Sequence, residues 1–189
     1  MSAERHSRAG SLASSMAQGW MLGSYVTGFD HGLWGLLFSA GIALTLPAAY
    51  AMLGAGWLIM KTDGALQARA VAWGSRVFWP MLLALAGISL ATPLVSATVF
   101  AKWFSLPEVF ALLPIPLACA AALWALHHVL VNPGIVKAGY GWVVFAATVL
   151  VFVLAFFGLA YSLFPYIVID RLNVWEAASA PQSLAVLMV

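Results

Sequence analysis

The charges of this chain are confined to a few short stretches, and the gaps between them limit its fold more than any other feature. No Asp, Glu, Lys or Arg occurs in Ala9–Phe29, His31–Met60, Val77–Ala101, Val109–Val136 or Ala138–Ile169. Each of these five intervals reaches the roughly 20 residues that a membrane-spanning helix needs. A sixth, Ala177–Val189, stops short of that length. In hydrocarbon the backbone groups have no water to bond, so a continuous apolar run satisfies them within its own helix. The spacing therefore predicts an all-α, polytopic transmembrane helix bundle with about five spanning helices plus the start of a sixth. The helices are placed near 11–29, 33–60, 77–101, 108–131 and 138–164.

Composition agrees. Of 189 residues, 64% are hydrophobic and 7% charged, against about 25% charged in ordinary soluble domains. A chain this short has too little interior to hide so much apolar surface, so lipid is its solvent. A net charge of +2 without a basic cluster excludes nucleic acid as a partner. The single cysteine, Cys119, excludes an intrachain disulfide and a cysteine-rich metal site. Residues 1–10 read as a loose N-terminal segment and 11–189 as one transmembrane domain. The stretch after Arg8 is long enough to span, unlike the apolar core of a signal peptide. Ser11, Ser14, Ser15, Gln18, Ser24 and Thr27 dilute the first span, so it should face protein, where small and polar residues favour helix contact. Pro107 suits a helix start, Asn132-Pro133-Gly134 is a strong stop, and Pro165 closes the fifth span. Pro47, Pro80, Pro93, Pro114 and Pro116 fall inside apolar stretches, where they are expected to kink or open helices.

Few residues invite chemistry. His127 and His128 could ligate haem, but neighbours on a helix point about 100° apart and cannot both face one iron, and His31 belongs to the opposite end. Interfacial or hydrogen-bonded histidine is the simpler reading. Asp30, in Gly28-Phe29-Asp30-His31-Gly32, falls at a helix end, and Glu108 sits in a first helical turn, where an acid is favoured. No P-loop, nucleophile elbow, zinc motif or dinucleotide fingerprint occurs. The polar elbow after Met60 has two open readings. Lys61 suits a helix C-terminus, Asp63-Gly64 makes a turn with Asp63 as a possible cap, and Gln67, Arg69 and Arg76 form a wet face. Alternatively that face docks a partner.

Residues 54–70, with Trp57, Lys61, Thr62, Asp63, Gly64, Gln67 and Arg69, resemble one membrane-helix end in subunit II of the cytochrome bd-type quinol oxidases. A second segment resembles that family's last extramembrane loop: Phe164-Pro165-Tyr166-Ile167-Val168, then Val174-Trp175-Glu176 and Pro181-Gln182-Ser183-Leu184. The resemblance implies a haem-free membrane subunit of a quinol:oxygen oxidoreductase in aerobic respiration. Haems b and d and the quinol-oxidising loop would belong to a partner, the haem-carrying subunit I, so no cofactor is expected in this chain. The expected surroundings are membrane lipid, with quinol reached through the complex, in a bacterial inner membrane. The chain resembles the C-terminal part of such a subunit and is expected to be incomplete; family acids proposed for proton access fall on no residue here. From the residues alone, a small permease with proline-broken helices or a structural membrane anchor remains an alternative.

Basic residues set the orientation. With the N-terminus cytoplasmic, the inner segments hold Arg5, Arg8, Lys61, Arg69, Arg76 and Lys137, and the outer ones hold Lys102 and Arg171. In a Cys119→Ser background, an impermeant thiol reagent applied from outside should label Trp103→Cys and Leu172→Cys but not Leu66→Cys. Outer labelling at position 66 would reverse the orientation.

Overall fold

The computed structural model of the protein describes residues 2–95, 97–106, 108–168 and 172–177. Pro107, Asp170, Arg171 and the sixth apolar interval beyond Ala177 lie outside them. Helix α1 (Ser2–Val26) is followed by α2 (Leu33–Lys61), α3 (Gly64–Val95) and α4 (Ala97–Phe104). Next come α5 (Glu108–Leu112), α6 (Pro114–Val131), the single turn α7 (Pro133–Ile135), a π-helical turn (Val136–Tyr140) and α8 (Trp142–Leu163). A short antiparallel pair, β1 (Tyr166–Val168) with β2 (Leu172–Asn173), and α9 (Val174–Ala177) complete the described chain.

Four of these helices, α2, α3, α6 and α8, are long and apolar enough to cross a membrane. The bundle is therefore polytopic and helical, as the charge-free intervals predict. The first expected span is α1, whose 25 residues are long enough but which carries Glu4, Arg5, Arg8 and a run of serines. It is helical from Ser2, through the residues expected to be loose. The third span, expected at 77–101, starts at Gly64 directly after the elbow and ends at Val95, with α4 following from Ala97. Two further boundaries differ for local reasons. The expected fourth span, 108–131, is split into α5 and α6, so Pro114 and Pro116 occupy the first turn of α6. There the missing N–H of proline has no intrahelical partner to lose. The fifth span begins at Trp142 and not at 138, because Gly139 adopts φ 90° and interrupts the approach. By contrast, α2 runs through Pro47, and α3 through Pro80 and Pro93.

The core is built where α2, α3, α6 and α8 meet. Met52, Ile59, Ala70, Phe78, Leu126, Val129, Leu130, Val136, Val144 and Ala147 form one buried cluster. Between lipid-embedded helices there is little hydrophobic drive to associate, so close packing and small residues carry the contact. Gly56 and Gly141 show this. A Cβ on Gly56 would lie 3.1 Å from Phe145 Cα, and one on Gly141 would lie 3.1 Å from the Ile59 carbonyl oxygen.

Helix α1 packs antiparallel on α2 through a small-residue face, but of the polar residues expected to face protein, Ser11, Ser14 and Gln18 stay exposed. Ser15, Gly19, Gly23 and Val26 are buried. A Cβ on Gly19 would sit 2.7 Å from Ala43 Cα, and one on Gly23 would sit 2.5 Å from Ser39 Cα. Ser24 Oγ and Ser39 Oγ are 3.3 Å apart, and Tyr50 Oη donates to Gln18 Oε1 at 3.1 Å. The turn between the helices is equally local. Gly28 N–H donates to Tyr25 O and Phe29 N–H to Ser24 O, with Gly28 at φ 63°. This is the Schellman ending that a glycine just past a helix permits. Asp30 Oδ1 then accepts the Gly32 N–H at 3.0 Å, so Asp30 shapes the turn that starts α2.

Overpacking a filled contact costs about 1–3 kcal/mol. Gly23→Val should therefore lower the unfolding midpoint in detergent and loosen α1 from α2. Gly41→Val, on the same helix as Ser39 but with nothing within 4 Å of its Cβ position, should leave the midpoint nearly unchanged. Equal behaviour of the two variants would contradict the packing described.

Candidate functional site: two tied ends of the bundle

The elbow residues hold a short turn between two long helices. Helix α2 ends at Lys61; Thr62 donates its N–H and its Oγ1 to Leu58 O at 3.0 and 2.7 Å. Gly64 supplies φ 65°, a backbone region open to glycine at little cost, and α3 leaves at once. The sequence reading assigned a possible cap to Asp63. Its side chain is exposed, and the bond that reaches back across the turn comes from Gln67, whose Nε2 donates to Ile59 O at 3.0 Å. That carbonyl lies in the last turn of α2, where backbone acceptors lack intrahelical partners. Lys61 Nζ lies 5.4 Å from the Trp57 ring centroid, a cation–π contact, and Trp57 packs edge-on to Phe145 at 5.4 Å.

This end of the bundle is basic. Lys61, Arg69, Arg76 and Lys137 are all exposed. The Ile59–Gly141 approach brings the Asn132–Gly141 connection, with Lys137, beside the elbow. The structure thus joins Trp57, Lys61, Thr62, Asp63, Gly64, Gln67 and Arg69 in one surface.

Pro165 and Trp175 belong to the opposite end. Helix α8 has 22 residues, about 33 Å at 1.5 Å per residue, and it carries the chain from Gly141 beside the elbow to Leu163. There Pro165 O accepts the Val174 N–H at 2.9 Å, and the exposed Trp175 packs edge-on to Phe164 at 6.0 Å. Lys102 ties this end. Its Nζ donates to Tyr161 O at 2.6 Å and to Phe164 O at 2.7 Å, and it lies 4.4 Å from the Tyr161 ring centroid. A cation suits the negative end of a helix, and here it also satisfies carbonyls in and just beyond the last turn. The neighbouring Trp103 Nε1 donates to the buried Ser162 Oγ at 2.9 Å. The sequence reading missed both residues as structural ties, because their partners lie 59 and 62 residues away. The one available signal was a lone lysine ending an apolar interval beside a tryptophan.

The two adjacent histidines diverge. His127 lies 5.0 Å from Phe78 and 5.8 Å from Trp79, centroid to centroid. His128 stacks on Trp124 at 5.3 Å and 11°, and Asn132 Nδ2 donates to its carbonyl at 2.7 Å. His31 and Asp30 are exposed at the far end of α2. Among the described residues, no three His, Cys, Asp or Glu side chains come together as a metal site. Among the described residues the arrangement offers surfaces and ties at the two ends of the bundle.

Comparison with known proteins gives this geometry a context. A family model described as cytochrome bd terminal oxidase subunit II matches residues 3–189. No curated protein matches the chain.

A hydrogen bond with a charged partner contributes about 1.5–3 kcal/mol. Lys102→Met should destabilise the chain by an amount in that range and speed amide exchange at residues 160–166, with little change at the elbow. Unchanged exchange there would show that the Lys102 tie does not hold the end of α8.

Proposed function

Because the chain belongs to the cytochrome bd terminal oxidase subunit II family, we propose that it acts as the haem-free membrane subunit of a quinol-oxidising, oxygen-reducing complex. The observation that carries this reading is the family match across residues 3–189. The geometry supports a division of labour in which haems b and d and the quinol-reacting loop reside in a haem-carrying partner. His127 and His128 engage different aromatic neighbours, and His31 is at the other end of the bundle, so no two of these converge on a common centre. The chain's own contribution is to bury a face of that partner and to keep the bundle rigid across the bilayer. Its basic elbow end, with Lys61, Arg69, Arg76 and Lys137, faces the cytoplasm of a bacterial inner membrane in this reading. That placement follows the rule that cytoplasmic loops hold the excess of Lys and Arg.

A permease would draw support from discontinuous helices at midplane. Instead α2 and α3 continue through their prolines, and from Val77 to Ala101 no charged side chain is available for a substrate or coupling ion.

The test is co-expression with a haem-carrying oxidase subunit. The two should co-purify with haem and quinol-dependent oxygen uptake, while this chain purified alone should show no stoichiometric Soret band. Failure to co-purify would refute the subunit reading. A Soret band in the chain alone that disappears in His127→Ala would refute its haem-free character.

A further inference from the structure

An open crevice of about 380 Å³ lies between α2 and α3, lined by Gly54, Ala55 and Leu58 on one side and Trp73, Arg76 and Val77 on the other. Its walls are apolar except for Arg76. The glycine in its wall is not explained by helix contact. A Cβ on Gly54 would meet nothing within 4 Å, whereas one on Gly56 would press on Phe145 and one on Gly74 would lie 3.1 Å from Leu130 Cδ2. Gly54 therefore borders open space in the crevice wall, while Gly56 and Gly74 let elements meet.

The height of the crevice follows from the packing. A Cβ on Gly74 would lie 3.8 Å from both Ala55 Cβ and Ile59 Cδ1, which sets Arg76 near the level of Gly54. Gly54 precedes Lys61 by two helical turns, about 10 Å at 1.5 Å per residue. Arg76 is also the last charge before the apolar run Val77–Ala101, so it marks the edge of the hydrocarbon. Trp73 lines the crevice beside it, and Trp57, Trp73 and Trp79 on α2 and α3 are exposed at 49%, 48% and 56%, as in the aromatic belt of a membrane interface. The Arg76 guanidinium is exposed and has no ion-pair partner among the described residues, so it is free to meet an anion at the interface. Arg69 lies two turns earlier on α3, on the same side of the helix, nearer the elbow and also exposed.

We propose that this crevice is a binding site for an anionic phospholipid, with one acyl chain along the Gly54 groove and the phosphodiester on Arg76. A guanidinium matches two phosphate oxygens at once, which an ammonium does not. Arg69, with the basic elbow end behind it, adds the preference for a net negative headgroup, as basic pockets between transmembrane helices do. The site does not depend on the oxidase reading; it rests on the membrane placement and on the geometry of α2 and α3.

The experiment is native mass spectrometry of the delipidated full chain, alone and assembled with its partner subunit, titrated with dioleoyl phosphatidylglycerol or dioleoyl phosphatidylcholine. The wild-type chain should retain one phosphatidylglycerol at about tenfold lower lipid concentration than phosphatidylcholine. Arg76→Gln should abolish that preference, and Arg76→Lys should keep part of it. Gly54→Leu, which fills the groove without meeting backbone, should weaken retention of both lipids with the arginine intact, and it decides the matter should Arg76→Gln fail to fold. Equal retention of the two lipids by the wild type, or full retention in Gly54→Leu, would overturn the proposal. Retention by the chain alone that vanishes in the assembled complex would also overturn it, since the crevice would then be a subunit contact.

Discussion

Close backbone approach between helices is the contact on which the rest of this bundle depends. Lipid is as apolar as the side chains it surrounds, so burying leucine against leucine contributes little beyond what lipid already offers. What remains is dispersion, which falls off steeply with any gap. The chain meets that demand with glycine and serine at the crossings. Gly19 and Gly23 bring α1 onto α2, and Gly56 and Gly141 bring α2 against the start of α8. Ala70, Ala147 and Thr148 are buried near these crossings, and Thr148 returns its hydroxyl to Val144 O at 2.7 Å, leaving no free polar group there. Large apolar side chains such as Leu83, Leu94, Leu117 and Phe156 point outward, the reverse of a soluble core.

With the helices packed this way, the polar work moves to their ends. Each helix terminus leaves carbonyls or amides unpaired, and in a membrane protein those must be met at the interface. One end uses Thr62 and Gln67 on the last carbonyls of α2; the other uses Lys102 on the carbonyls around the end of α8. Serine and threonine within the spans bond back to the preceding turn, as Ser75, Thr92 and Ser162 do. The middle of the bundle is therefore chemically quiet.

The two ends are unlike each other. Lys61, Arg69, Arg76 and Lys137 crowd one, while the other is organised by Lys102, two aromatic rings and a small β-hairpin. Such asymmetry orients a chain in a charged bilayer and gives each face a different neighbour. The basic face presents exposed Lys61, Arg69, Arg76 and Lys137. The hairpin face presents exposed aromatic surface at Phe164 and Trp175.

Much of this was determined by the sequence by itself. Charge-free intervals specify membrane helices because hydrocarbon forbids unpaired backbone, and that argument needs no neighbours. The apolar helices α2, α3, α6 and α8 follow from it, whereas the polar residues of α1 divide between the contact with α2 at Ser15 and the exposed side at Ser11, Ser14 and Gln18. The motif around Trp57 and Lys61 carried the family resemblance. Boundaries at Leu113 and Gly139 were not legible, because they depend on where a proline or a left-handed glycine falls within a continuous apolar run. Nor was the role of Gln67, whose side chain reaches back to the Ile59 carbonyl across the elbow. Lys102 is the clearest case: as a residue it is one cation at the end of an apolar stretch, and its partners follow some 60 residues later. Only the antiparallel return of α8 brings those carbonyls to it. Local patterns record how a segment meets its solvent, whereas which ends meet, and which glycine closes a contact while another borders open space, is decided by how the helices pack.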